Sequence, residues 1–109
     1  MSTDLNYVQF VCECLRGENP TYKKMFGEYM VYIDGKPVLL VCDNTVFVKK
    51  YVELADLLRD ADCGYPYDGA KEHYILDVEN QELTQKVIEI LKSIVPLPKK
   101  RKYRKSVLP

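Results

Sequence analysis

Residues 28 to 50 read EYMVYIDGKPVLLVCDNTVFVKK, and this stretch decides the fold. Tyr29, Val31 and Ile33 alternate with Glu28, Met30 and Tyr32, which is the two-residue period of a β-strand. Asp34-Gly35 follows between two apolar runs. It is a strong hairpin signal, because the tight turns that match strand twist need positive φ at their central residues. Val38 to Cys42 is apolar on both faces and reads as a central strand. Asp43-Asn44 supplies a second tight turn, since both residues tolerate positive φ. Thr45 to Lys50, rich in β-branched residues, is a third strand. Strands joined this tightly are antiparallel.

Upstream, Leu5, Val8, Val11, Cys12 and Leu15 recur at helical spacing over residues 4 to 16, and Gly17 ends the run. Glu18-Asn19-Pro20 is loop, and the strand signal begins at Lys24. Downstream, the spacing predicts a helix from about Tyr51 to Ala61 with Leu54, Leu57, Leu58 and Ala61 inward and Gly64 just past its end. Tyr65 to Asp68 and Glu72 to Val78 read as strands flanking an Asp68-Gly69 hairpin, the first kept short or at an edge by Pro66. Asn80 is a good N-cap, and Glu82 suits the positive end of the helix dipole. Leu83, Val87, Ile90, Leu91 and Ile94 then form one stripe that stops before Pro96. The order is helix, three strands, helix, two strands, helix. The expected fold is a two-layer α+β domain over residues 1–95, with helices on one face of a five-stranded antiparallel sheet. Residues 96–109 form a basic tail read as disordered.

At 109 residues, 47 % of them hydrophobic, the chain supports one core and is too apolar for global disorder, which excludes a two-domain enzyme. The longest apolar runs, Tyr29 to Ile33 and Val38 to Cys42, fall far short of the ~20 residues of a membrane helix. Met1-Ser2-Thr3-Asp4 places an acid where a secretory leader has a basic and then an apolar region, so the expected location is cytoplasmic. In that compartment Cys12, Cys14, Cys42 and Cys63 are expected to be reduced. Cys12 and Cys14 point to nearly opposite sides of the first helix, there is no second cysteine pair of chelating spacing, and His73 is the lone histidine. No metal and no cofactor is expected.

The net charge of zero hides an asymmetry. Residues 99 to 105 read KKRKYRK, and without those six basic side chains ten basic residues face sixteen acidic ones. An acidic body offers no broad nucleic-acid surface. Lys99, Lys100, Arg101, Lys102, Arg104 and Lys105 are the candidate phosphate contacts, with Tyr103 able to stack on an unpaired base. Contact through them would be weak and sequence-independent.

Met25-Phe26-Gly27, then Tyr29, then Asp34-Gly35-Lys36, then Val46-Phe47-Val48-Lys49 resembles the N-terminal domain of the TfoX/Sxy competence-regulator family. Gly64-Tyr65-Pro66-Tyr67 is similar to that family's next landmark, and the match covers about residues 8 to 95. The resemblance implies a bacterial α+β domain of this element order, associated in some members with regulation of DNA uptake and without an established catalytic activity. The full-length regulators carry a further C-terminal domain that resembles helix-hairpin-helix modules. Only the N-terminal domain is matched here. By the same resemblance Met25, Phe26, Gly27, Tyr29, Asp34, Gly35, Lys49 and Gly64 are motif residues of structural purpose.

The sequence holds no G-x-S-x-G, phosphate loop or H-E-x-x-H. One catalytic constellation can be assembled on paper: His73 with Cys63 or Cys42 and with Asp77 or Glu72. The expectation is a non-enzymatic interaction domain acting by protein contact, with a nucleic-acid accessory role through the tail as the alternative. The nine tyrosines, five of them on expected strands, suggest a homodimer closed over an uncovered sheet face.

Overall fold

The computed structural model describes residues 3–25 and 27–97. It is a mixed fold of two α-helices and one antiparallel six-stranded sheet. The elements are α1 (Leu5–Cys14), β1 (Thr21–Met25), β2 (Glu28–Ile33), β3 (Lys36–Cys42), β4 (Thr45–Lys49), β5 (Cys63–Gly64), β6 (His73–Ile75) and α2 (Gln81–Ile94). The strand order is β1-β2-β3-β4-β6-β5.

The central meander follows from its turns. Asp34 and Gly35 take φ of 54° and 78°, and Asp43 and Asn44 take 52° and 55°. Positive φ at both central positions is the signature of the type I′ turn, whose twist matches that of the strands it joins. Val31 therefore pairs with Leu39, and Val41 with Val46. The ladder slips by one residue between Val31 and Tyr32, leaving Val38 unpaired as a bulge beside Pro37. Pro37 has no N–H to give a ladder, so a bulge there sacrifices little.

Tyr29, Val31, Ile33, Leu39, Val41, Val46 and Val48 form the inner face. They join Val8 and Val11 of α1 and Val87, Ile88 and Leu91 of α2 in one buried cluster. Asn80 caps α2 by accepting from the Leu83 N–H at 3.2 Å. The buried stripe of α2 runs through Thr84, Val87, Ile88 and Leu91, while Leu83, Ile90 and Ile94 are only half-buried. The start of α1 is tied to the β3–β4 turn, where the Asp4 N–H donates to Asn44 Oδ1 at 2.9 Å.

Three expectations are corrected. The expected helix from Tyr51 to Ala61 is a single 3-10 turn, Val52–Leu54, followed by linked turns. Leu54 and Leu58 still reach the core, but through short-range bonds such as Leu54 N–H to Tyr51 O at 3.0 Å. Tyr51 provides no capping side chain. Asp56 and Asp60 are weak helix formers, because short polar side chains offer the backbone competing hydrogen bonds, and Asp60 would sit at the negative end of a helix dipole.

The sheet has six strands rather than five. Thr21–Met25 is a full strand whose residues are all exposed, so it carries no apolar alternation to be read. The expected hairpin around Asp68-Gly69 is also absent as such. β5 is Cys63–Gly64, β6 is His73–Ile75, and a loop of residues 65–72 joins them. Asp68-Gly69 makes a turn inside that loop, with Gly69 at φ 85° and the Ala70 N–H donating to Tyr67 O at 3.1 Å. No helix of the described residues is long and apolar enough to cross a membrane.

Candidate functional site

Among the described residues no helix covers the outer face of the sheet, and a groove of about 730 Å³ opens on it where β3 begins and β4 ends. Its floor comes from Met30, Leu40 and Phe47, one wall from Tyr67 and Ala70 of the β5–β6 loop, and the other from Pro96 and Leu97 beyond α2. That volume lies in the range of ligand pockets, which are mostly apolar with a few placed polar groups. Lys49, Lys71 and His73 are the basic side chains here, and no carboxylate lines the groove.

His73 is the buried member, 9 % exposed. The β4–β6 ladder sets it opposite Lys49, and the β5–β6 ladder sets it opposite Gly64. Its ring stands edge-on to Phe47, at 6.3 Å between centroids and 89° between planes. Gly64 makes room for this layer, since a Cβ there would come within 3.3 Å of Ile75 Cδ1 and 3.4 Å of Phe47 Cε1. His73 Nδ1 lies 2.7 Å from the Lys71 carbonyl oxygen. A carbonyl only accepts, so Nδ1 carries the hydrogen, and Nε2 has no partner among the described residues.

The catalytic constellation does not assemble. His73 bonds a backbone carbonyl rather than a carboxylate. Glu72 is held by Lys50 Nζ at 2.8 Å, and Asp77 Oδ1 accepts from the Glu79 N–H at 3.1 Å. Cys42 is paired at the Thr45 end of β4, and His73 at the Lys49 end. Cys63 sits exposed on the edge strand. Burial and the neighbouring Glu28 carboxylate push the Cys42 thiol up to about 12. An ordinary cysteine ionises near 8.5, and only the thiolate reacts. In the native protein near pH 8, iodoacetamide is therefore expected to label exposed Cys63 first and to leave Cys42 unmodified, as peptide mass spectrometry would read. Labelling of Cys42 should rise only as pH approaches about 12, because a raised pKa keeps the proton on through the range where a free thiol loses it.

The motif residues divide by place. Gly27 turns the chain between β1 and β2 at φ 83°, and its carbonyl accepts from the Thr3 N–H at 3.4 Å. Met25 ends β1, and Tyr29 is buried with its ring edge-on to Tyr22 at 5.7 Å. Asp34 and Gly35 form the β2–β3 turn. Of these only Lys49 lines the groove, and Gly64 adjoins it through its pairing with His73. Phe26 and the tail residues Lys99, Lys100, Arg101, Lys102, Tyr103, Arg104 and Lys105 lie outside the described residues. The tyrosines do not share one surface. Tyr29 faces the core, Tyr32 and Tyr74 lie under Lys23 and Lys50, and Tyr65 and Tyr67 stand on the β5–β6 loop. Sequence reasoning missed the groove, whose walls are loop segments far apart in the chain. The one available signal was a lone histidine on an otherwise apolar and aromatic strand.

The chain belongs to one family with the uncharacterized 12.7 kDa protein in the trpE 5′ region of Spirochaeta aurantia. The two are 32 % identical over 110 residues, which is 95 % of this chain and 93 % of that protein. No family model matches the chain. No solved structure matches it.

Proposed function

We propose that this protein is a non-enzymatic regulatory domain of the competence-regulator N-terminal type that acts by protein contact, first of all with a second copy of itself. One observation carries the reading: β1 is a five-residue edge strand, exposed along its whole length, whose outer side pairs with nothing among the described residues. An open edge of that kind is a template for another strand. Lys23 and Lys24 restrict the register, since like charges directly opposite each other repel. An antiparallel pairing centred on Tyr22 of both copies sets Lys23 against Thr21 and keeps the lysines apart, and Lys23 already lies over the Tyr32 ring at 5.9 Å.

Light scattering at micromolar concentration is expected to give about twice the 12.7 kDa of one chain. Tyr22→Lys places lysine opposite lysine at the centre of that register and is expected to give a monomer with unchanged far-ultraviolet circular dichroism. A parent protein that is monomeric across that range refutes the homodimer.

A further inference from the structure

The outer-face groove is not used by the β1 contact, and its chemistry is specific enough to name an occupant. We propose that it binds a small amphipathic anion, a flat apolar body carrying one carboxylate, with the carboxylate at Lys49, Lys71 and His73. This goes beyond the contact reading and stands or falls separately from it.

The argument begins with charge. Over the whole chain acidic and basic residues balance, and outside the tail acids prevail. Yet the groove is lined by two lysines and a histidine and by no acid. Among the described residues neither Lys49 nor Lys71 has an ion-pair partner, whereas the adjacent Glu72 is already neutralised by Lys50 at 2.8 Å. A low-dielectric wall beside unpaired cations concentrates their field on an anion in the groove. Lysines at a surface would not make a site by themselves.

The second observation is His73. It is nine-tenths buried, lines the groove, is fixed in orientation by the Lys71 carbonyl, and keeps Nε2 without a partner among the described residues. Buried polar nitrogens are nearly always satisfied, so an open one on a cavity wall marks a place for a ligand atom. A carboxylate oxygen is a partner that Nε2 can hold. It accepts from Nε2–H when the ring is charged.

The floor sets the rest of the ligand. Met30, Leu40 and Phe47 present an apolar surface, and Tyr67 rises as an aromatic wall that is 57 % exposed. A flat hydrocarbon body covers that area, whereas inorganic phosphate or acetate would leave it wet. The chain's own continuation is the wrong occupant. Residues 98–109 carry six basic side chains, and the rim is already basic.

The test uses the full-length protein and 2-naphthoate as probe. His73 is the only histidine in the chain, so the imidazole ¹⁵N resonances of histidine-labelled protein report this groove without further assignment. Titration with 2-naphthoate is expected to shift the Nε2 resonance more than Nδ1, and to saturate with a Kd of about 1 mM or tighter. The neutral 2-naphthamide, and acetate alone, should each bind at least about tenfold more weakly. The double variant Lys49→Met, Lys71→Met keeps the side-chain stems and removes the charges, so it should lose about tenfold in affinity with the fold intact. An Nε2 resonance that does not move at millimolar probe overturns the proposal. So does equal binding of the amide, or undiminished binding by the folded double variant. Light scattering on the same variant separates the two readings, because the β1 contact does not involve either lysine.

Discussion

Leu54→Ala is expected to lower the stability of the domain by about 2–5 kcal/mol, the range for deleting a buried leucine where the cavity collapses only partly. Leu54 is fully buried in the core cluster, although the segment holding it is one 3-10 turn and not the helix that its leucine spacing suggests. Against a total of roughly 5–15 kcal/mol for a small domain, that loss is a large fraction. Urea denaturation checks it: the midpoint should fall while the slope stays constant, since the native surface changes little. Val52→Ala is the control. Val52 starts the same turn but is 81 % exposed, so its truncation should change stability by no more than about 0.5 kcal/mol. Equal effects at the two positions would mean that this segment is not anchored through Leu54.

Gly35→Val should cost about 1–3 kcal/mol, for a different reason. Gly35 sits at φ 78° in the β2–β3 turn. Positive φ brings a Cβ against the backbone at a cost of about 1–2 kcal/mol, and a β-branched residue is the worst case. The new Cβ would also lie 3.2 Å from Leu97 Cδ2. That methyl belongs to an exposed side chain and can move, so the backbone term dominates. Gly17→Ala is the counterpart of opposite sign. Gly17 has no positive φ and nothing within 4 Å of an added Cβ, so alanine there should stabilise by about 0.4–1 kcal/mol through the unfolded chain. Thermal unfolding should separate the pair by several degrees, on a scale of roughly 4–8 °C per kcal/mol. A Gly35→Val protein melting with the parent would show that the turn tolerates a side chain.

Both predictions fall where reading the sequence had unequal success. Asp34-Gly35 was fully legible, because a positive-φ requirement belongs to two adjacent residues and is written in their identities. Residues 51–61 were legible only in part. Their leucines announce burial, but Leu54 and Leu58 reach the same core from a helix or from linked tight turns. The aspartates that favour the turns were the quieter signal. At α2 the Asn80 cap was readable, while the stripe was placed slightly off. Thr84 and Ile88 are buried in preference to Leu83 and Ile90, because the angle at which α2 meets the sheet, and not hydropathy, sets which side is covered.

Local stereochemistry settled the meander: two turns needing positive φ, the alternation of Tyr29, Val31 and Ile33, and with them the inner face of the sheet. Tertiary structure settled everything that depends on partners far along the chain. Thr21–Met25 becomes a strand only because β2 presents a free edge to it. Cys63–Gly64 and His73–Ile75 pair across an eight-residue loop whose Asp68-Gly69 turn does not join the strands directly. The groove exists only where the β5–β6 loop and the chain beyond α2 flank the same end of β3 and β4. Lys49, Lys71 and His73 come together there through ladder pairing and loop path, which are long-range backbone contacts that no side-chain period along the sequence encodes.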